Sequence, residues 1–473
     1  MKTRIQNLLI ALAILACIYH TNATTVFPIA TNPSLVEISG GIAFDGSNYL
    51  VGMEAGTNVV GQLVSSNGAL LGSQIIVGSN PGFPPSIGLA FGQTNYLLAW
   101  SDNSVSSGVD IFGQFVSRTG TKVGSTFNLL SSQGSHGFQS GKALASDGTN
   151  FLVVWQDEND NSLWGQLVTS AGTLSGAEFL INSQPQGGVS AAATFGKMNY
   201  LVVAQNNVSQ NSNQVFGEFV SRSGAAGSSF QISQIASADQ NPLTVAFDGT
   251  NYFVAWNWDP PPETSGTVTN WDIHGRLVSQ TGTFPGSELA LVTDPGSQVI
   301  PSLAFDGSNY LLSWGDESFN FSTNSNIRFQ FFNRSGISIG SEFSVFTAQG
   351  TNDPLFAFNG LLFDGTRFAV AATLGTVATN ANGISGFPSG EVFGAFIPKS
   401  TPAPQLTPLN YANGQFSLML TGQAGTNYII QVNTNLSVNN WIAVVTNTAT
   451  NGTFSFTDTN ATNKSRFYRA MQQ

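Results

Sequence analysis

Apolar positions along this chain recur in short β-rich runs that partly alternate, and nothing after residue 24 shows a helical period. The clearest run is Pro301-Ser302-Leu303-Ala304-Phe305-Asp306-Gly307-Ser308-Asn309-Tyr310-Leu311-Leu312-Ser313-Trp314. Versions of it stand at 41–53, 86–100, 142–155, 191–204, 242–256 and 361–372. A second run follows each time, as in Asp110-Ile111-Phe112-Gly113-Gln114-Phe115-Val116-Ser117, and again at 163–169, 215–221, 273–279 and 392–397. A third closes most copies, as at 124–129 and 227–232. The anchors Asn48, Asn95, Asn150, Asn199, Asn251, Asn309 and Arg367 are spaced by 47, 55, 49, 52, 58 and 58 residues, which makes seven units.

Asp-Gly or an equivalent pair separates the first two runs of a unit, as in Phe44-Asp45-Gly46-Ser47-Asn48-Tyr49. Tight hairpins need positive φ, so Asp-Gly between β-runs predicts a hairpin. Each unit then reads as four antiparallel strands, and repetition at this period predicts a β-propeller. The alternative repeat fold is a parallel β-helix, whose period is much shorter. The seventh unit stops at Pro398 without its fourth strand. Thr24-Thr25-Val26-Phe27-Pro28-Ile29 matches what is missing, so the expected architecture is an all-β, seven-bladed propeller closed by its N-terminal strand. Closure would remove open sheet edges.

A Pro-rich stretch at 399–408 reads as a linker. Beyond it, 409–473 predicts a small C-terminal β-sandwich with strands at 415–420, 427–434, 441–445, 453–457 and 466–470.

The first 23 residues read as a signal peptide. Met1-Lys2-Thr3-Arg4 is cationic, 8–19 is an uncharged, mostly apolar run, and Thr21-Asn22-Ala23 is a cleavage site. The run is shorter than the ~20 residues of a spanning helix. The expected address is extracellular or the cell surface, with no membrane span. The single cysteine, Cys17, lies inside the signal; Ile14-Leu15-Ala16-Cys17 loosely matches a lipobox, and lipidation there is the alternative route. Cleavage after Ala23 leaves no thiol, which excludes disulfides and thiol catalysis from the mature chain. It also leaves 13 basic against 26 acidic residues, a balance that disfavours nucleic acid and anionic lipid. Aromatics at 11% and the regular apolar runs argue against disorder.

The Phe-Asp-Gly-[Ser/Thr]-Asn-Tyr-Leu-x-x-Trp unit followed by Gly-Gln-x-Val-Ser-x-x-Gly resembles the repeats of large secreted bacterial β-propeller proteins. That likeness covers most of 24–398. The tail Gly425-Thr426-Asn427-Tyr428-Ile429-Ile430-Gln431-Val432-Asn433-Thr434-Asn435-Leu436, with Trp441, Phe456-Thr457-Asp458 and Arg466-Phe467-Tyr468-Arg469-Ala470, is similar to a C-terminal β-module of exported proteins from environmental Gram-negative bacteria. That module occurs on enzymes and non-enzymes and implies an address or attachment role. Neither resemblance brings a catalytic residue.

The turn aspartates Asp45, Asp147, Asp248, Asp306 and Asp364 repeat as hairpin residues should, each able to bond its own turn. Trp100, Trp155, Trp256 and Trp314 repeat at one strand position, where a space-filling role between sheets is expected. Asp157, Asn159 and Asn161 place oxygens at alternating positions, so calcium is possible there, although the Gly and terminal Glu of an EF-hand loop are missing. No other cofactor is implied. His274 stands where other units have Phe112 and Phe216, which predicts a packed residue.

Loops between second and third strands break the repeat most in units five and six. They place Trp258, Asp259, Trp271, Asp272, Glu317, Phe319 and Phe321 along one rim. Aromatics beside carboxylates suit sugar rings, whose apolar faces stack while hydroxyls bond to acids and amides. Simple pinning of long loops is the competing reading. The expected function is a secreted, non-enzymatic binder of an extracellular polysaccharide or protein. The alternatives are a polysaccharide hydrolase or lyase using rim carboxylates, and a structural surface protein.

Overall fold

A computed structural model describes residues 26–32, 34–79, 87–102, 110–130, 136–137, 143–157, 159–183, 191–209, 212–235, 240, 243–259, 271–317, 326–346, 359–375, 378–380, 383–386, 390–399, 404–422, 424–438, 440–461 and 465–472. Every regular element among them is a strand. Thr24–Pro398 form one compact unit, and the residues from Lys399 onward belong to another. The signal segment and Cys17 lie outside the described residues.

Within 24–398 the sequence repeat becomes a repeat of small antiparallel sheets, a propeller-like all-β fold. Unit two shows the pattern: Ile87–Phe91, Asn95–Asp102, Asp110–Ser117 and Lys122–Asn128 pair in chain order. In the last sheet Asn359–Phe363, Arg367–Leu374 and Glu391–Pro398 pair likewise, and the fourth place is taken by Val26–Ala30, with Val26 opposite Ala395. First strands pack against one another in chain order. Glu37–Phe44 touches both Ile87–Phe91 of the next sheet and Asn359–Phe363 of the last.

Four repeated residues hold this array. Trp100 packs against Val59 and Val77 of the preceding sheet, and a Cβ at Gly78 would lie 2.2 Å from its ring, so only glycine fits there. Trp155, Trp256 and Trp314 sit the same way. The turn aspartates reach outward as well as inward. Tyr96 and Tyr200 approach Asp45 and Asp147 of the preceding unit while donating to the backbone oxygens of Asn48 (2.9 Å) and Asn150 (3.3 Å). Unit two has Gly92 where Asp would stand, and unit three answers with Phe151 in place of Tyr; a Cβ at 92 would meet that ring at 2.8 Å.

The repeated Gln of the third strand brackets its own sheet. Gln114 Nε2 donates to the carbonyls of Phe115 and Val123, and Gln62, Gln166 and Gln330 do the same in their units. Each sits where the register shifts between third and fourth strands, so the amide satisfies carbonyls that the ladder leaves over.

After Lys399, Gln405–Ala412, Gln415–Thr421 and Thr453–Asp458 form one three-stranded sheet. Ile442–Ala449, Thr426–Asn433 and Phe467–Gln472 form another, and the two share a core of Phe416, Leu418, Tyr428, Ile430 and Tyr468. The stretch read as linker is therefore shorter than expected. Gln405–Pro408 already belongs to a strand, and Pro408 is tolerated because it lies on an edge strand beside a register shift.

Candidate functional site

The two ends of these sheets differ. One end carries short turns built alike from unit to unit, the Asp-Gly turn and a Ser-x-x-Gly turn. The other carries the connections between second and third strands and between sheets. Units five to seven have the long insertions there. In unit seven the insertion includes a ribbon of Ala378–Asn380 paired with Gly383–Gly386.

Unit five builds the most elaborate strand end. Asn251–Trp258 pairs with Asp272–Ser279, which puts Trp258 directly opposite Asp272. The Trp258 ring stacks on His274 with centroids 4.7 Å apart and planes at 14°. His274 Nδ1 lies 2.7 Å from Glu288 Oε1, and both side chains are buried. Glu288 Oε2 also accepts the backbone N–H of Ile235 at 3.1 Å, tying unit five to the chain leaving unit four. Burial raises the Asp272 carboxyl against the opposing pull of His274, and Asp294 adds to the rise.

Unit six fills the same positions with other residues and pairs them differently. Arg328 occupies the His274 position and Glu342 the Glu288 position. Arg328 Nε bonds Asp316 Oδ2 at 3.1 Å. Burial, with a hydrogen bond to Asp294, pushes Glu342 up to about 7. A sequence signal for both pairs existed: units five and six each exchange the third-strand aromatic for a base and place a glutamate 14 residues later. Neither glutamate stands in a rim loop, where the repeat is broken most visibly: Glu342 lies in the strand Ser338–Ser344 and Glu288 immediately before the strand Leu289–Val292.

Of the rim residues, the structure brings together Trp258, Asp259, Trp271 and Asp272, all half-buried. Trp258 is committed to His274, so its ring packs within its own sheet. Trp271 accepts the backbone N–H of Gln298 at 2.7 Å, which links it to unit six. Glu317 ends the strand Tyr310–Glu317, its backbone opposite Ser297. Phe319 and Phe321 lie outside the described residues.

The candidate calcium loop closes on itself. Asp157 Oδ1 accepts both the backbone N–H and the Nδ2 of Asn159 at 2.8 Å, and Asn161 Oδ1 accepts from Gln156 at 3.0 Å. Asn161 takes φ of 63°, as asparagine tolerates in a turn. Among the described residues no group of three or more His, Cys, Asp or Glu could hold a metal ion. No helix there is long and apolar enough to cross a membrane.

No family model matches the chain, and no curated protein matches it. Solved structures with some likeness include a subtype N11 neuraminidase-like protein of influenza A/flat-faced bat/Peru/033/2010. It is 9% identical with a TM-score of 0.39, covering 67% of this chain and 88% of that one. Prolyl oligopeptidase B from Galerina marginata is 10% identical with a TM-score of 0.40; the match covers 83% of this chain and 56% of that one. AofleA from Arthrobotrys oligospora is 11% identical with a TM-score of 0.38, covering 69% and 90%.

Proposed function

We propose that residues 24–398 form a seven-bladed β-propeller closed by Val26–Ala30, and that the exported chain binds an extracellular glycan or protein without catalysis. The ligand sits at the loop end of units five and six, beside Trp271, Asp272 and Asp259. One observation carries this reading. The repeat-breaking insertions leave the sheets at the same end, while the other end keeps a short first turn in every unit and, in units one to six, a short second turn closed by glycine. A rigid scaffold with variable loops on one side is how loop-borne recognition is usually presented.

Ring closure has parallel support. At the junction of units five and six, the N–H of Gln298 bonds the carbonyl of Trp271, and that of Ile300 bonds Asn257 Oδ1 at 3.1 Å. Where the last unit meets the first, Glu37 bonds Gly390 and Ser39 bonds Thr373 Oγ1 at 2.8 Å in the same arrangement.

A glycan screen on the full chain, with and without calcium, tests the proposal. Trp271→Ala should abolish a hit while leaving the melting temperature nearly unchanged, since Trp271 is linked through its backbone. Trp258→Ala is the poorer probe, because it also strips His274 of its stacking partner. Soluble product released from a polysaccharide would replace this reading with the hydrolase or lyase alternative.

A further inference from the structure

A formal charge of -11 says this protein should avoid anionic surfaces, yet the fold sorts its charges by end. The turn end carries Arg118, Lys122, Lys197, Arg222 and Arg334, all exposed. Its carboxylates are the turn aspartates, and these are sunk beneath the surface. Each accepts two N–H groups of its own turn at 2.6–2.8 Å. In the pair Arg222–Asp147 the arginine side chain is 52% exposed and the aspartate 0%. Solvent at this end therefore meets the cations and not the acids.

Arg118, Arg222 and Arg334 lie over Phe91, Phe195 and Phe305 at 4.8, 4.6 and 4.8 Å. Covering the phenylalanine does not explain them. Units one and five keep Phe44 and Phe247 at the same place, in tilted contact with Tyr49 and Tyr252, with Ser66 and Gln280 where the arginine would be. Arg118 and Arg334 each give one N–H to a turn carbonyl, at 3.0 and 2.9 Å, which leaves the rest of the guanidinium for another partner.

Large apolar side chains stand exposed at the same end. Met198 at 58% and Ile337 at 62% lie in or beside the turns, with Leu70 and Leu174 exposed at the starts of fourth strands. Exposed apolar groups among exposed cations, with the acids buried, form a surface suited to an anionic bilayer. A soluble acidic polymer would use the cations but not Ile337 or Met198. The acids of the opposite end lie about one strand away, roughly 26 Å for eight residues. That is several times the screening length of about 8 Å. We propose that the turn end docks on an anionic lipid surface, with arginines and lysines at the headgroups and Met198 and Ile337 at the acyl boundary.

Cosedimentation of the full chain with phosphatidylcholine vesicles, with and without phosphatidylglycerol, tests this. Binding should require phosphatidylglycerol and fall with salt. The triple variant Arg118→Ser, Arg222→Ser, Arg334→Ser is built to fold, since Ser66 and Ser170 hold the position in units one and three. At roughly fivefold per cation it should weaken binding on the order of a hundredfold. Ile337→Ser with Met198→Ser should weaken it separately. The N-terminal apolar run is common to all these chains, so the differences belong to the turn end. An unchanged triple variant, an unchanged Ile337→Ser with Met198→Ser variant, or capture by dextran sulfate alone would overturn the proposal; the Ile337→Ser with Met198→Ser variant, which carries the same N-terminal segment, decides it even should the triple variant misfold.

Discussion

The Tyr49 hydroxyl donates to the carboxylate of Asp364, joining residues 315 apart in the chain. It is the contact that Tyr96 and Tyr200 make toward Asp45 and Asp147 between consecutive units, here between the last unit and the first. Burial works against the Asp364 carboxylate. The bonds from Tyr49 and from the turn N–H groups of Arg367 and Thr366 nonetheless hold it below its ordinary value. Burial first, and then Asp364 itself, raises the Tyr49 phenol.

Tyr49→Phe should destabilise the fold by about 1.5–3 kcal/mol in chemical denaturation, the range for a hydrogen bond to a charged group. Tyr252→Phe is the comparison, since that hydroxyl gives a neutral bond to the Asn199 carbonyl at 2.8 Å and should cost about 1 kcal/mol. The folded pKa of Asp364 is depressed, so its contribution is present above the ordinary value of 3.8 and is lost as pH falls through the folded value. The Tyr49→Phe deficit should shrink accordingly in acid. A deficit independent of pH would mean the hydroxyl matters only for packing.

Deleting Val26–Ala30 should lower the melting temperature by many degrees. It exposes the edge of Glu391–Pro398 and uncovers Phe396, on which Phe27 packs with centroids 4.9 Å apart. An unchanged melt would show that the last sheet is stable with three strands and would remove the case for closure.

Glu218→Gln should stabilise the protein in a pH-dependent way. Units one, two, three and six have Gln at this buried position; unit four has Glu218, which burial pushes up to about 7 from 4.5. A raised carboxyl favours the fold when protonated. The wild type therefore loses stability as pH rises from 4.5 to about 7 and carries the full cost above that. The gain from Gln should reach about 2–3 kcal/mol at pH 8 and nearly vanish at pH 4. Denaturation at both values measures it.

His274→Phe restores the residue type of units two and four, yet it should cost about 1–3 kcal/mol. Glu288 would stay buried without its His274 partner. A neutral result would show that the backbone N–H groups at 234 and 235 satisfy the carboxylate alone.

Much of the architecture was legible in the sequence. The Asp-Gly spacing located the first hairpin of five units because positive φ at glycine is a local demand: Gly46, Gly148, Gly249, Gly307 and Gly365 all take φ between 88° and 98°. The match of 26–29 to the missing fourth strand was also visible, since strand identity repeats as a pattern. The rim was legible only in part. Trp258 looked like a binding aromatic because a sequence shows that a residue departs from its repeat but not which neighbour absorbs the departure. His274 is that neighbour, reached across the strand pair.

By itself, then, the sequence determined what repeats: the strand pattern, the turns, and the tryptophan, tyrosine and glutamine that recur at fixed offsets. Local backbone preference and period-two burial act over a few residues, so they can be read from a few residues. Only the tertiary structure decided which repeats answer one another. Phe151 opposite Gly92, Asp364 beneath Tyr49, and Glu288 behind His274 are choices made between units. The net charge is likewise a property of the composition, whereas the separation of exposed cations from sunken aspartates depends on which end of each sheet a residue reaches. Distances across the fold set those energies, and sequence order does not encode them.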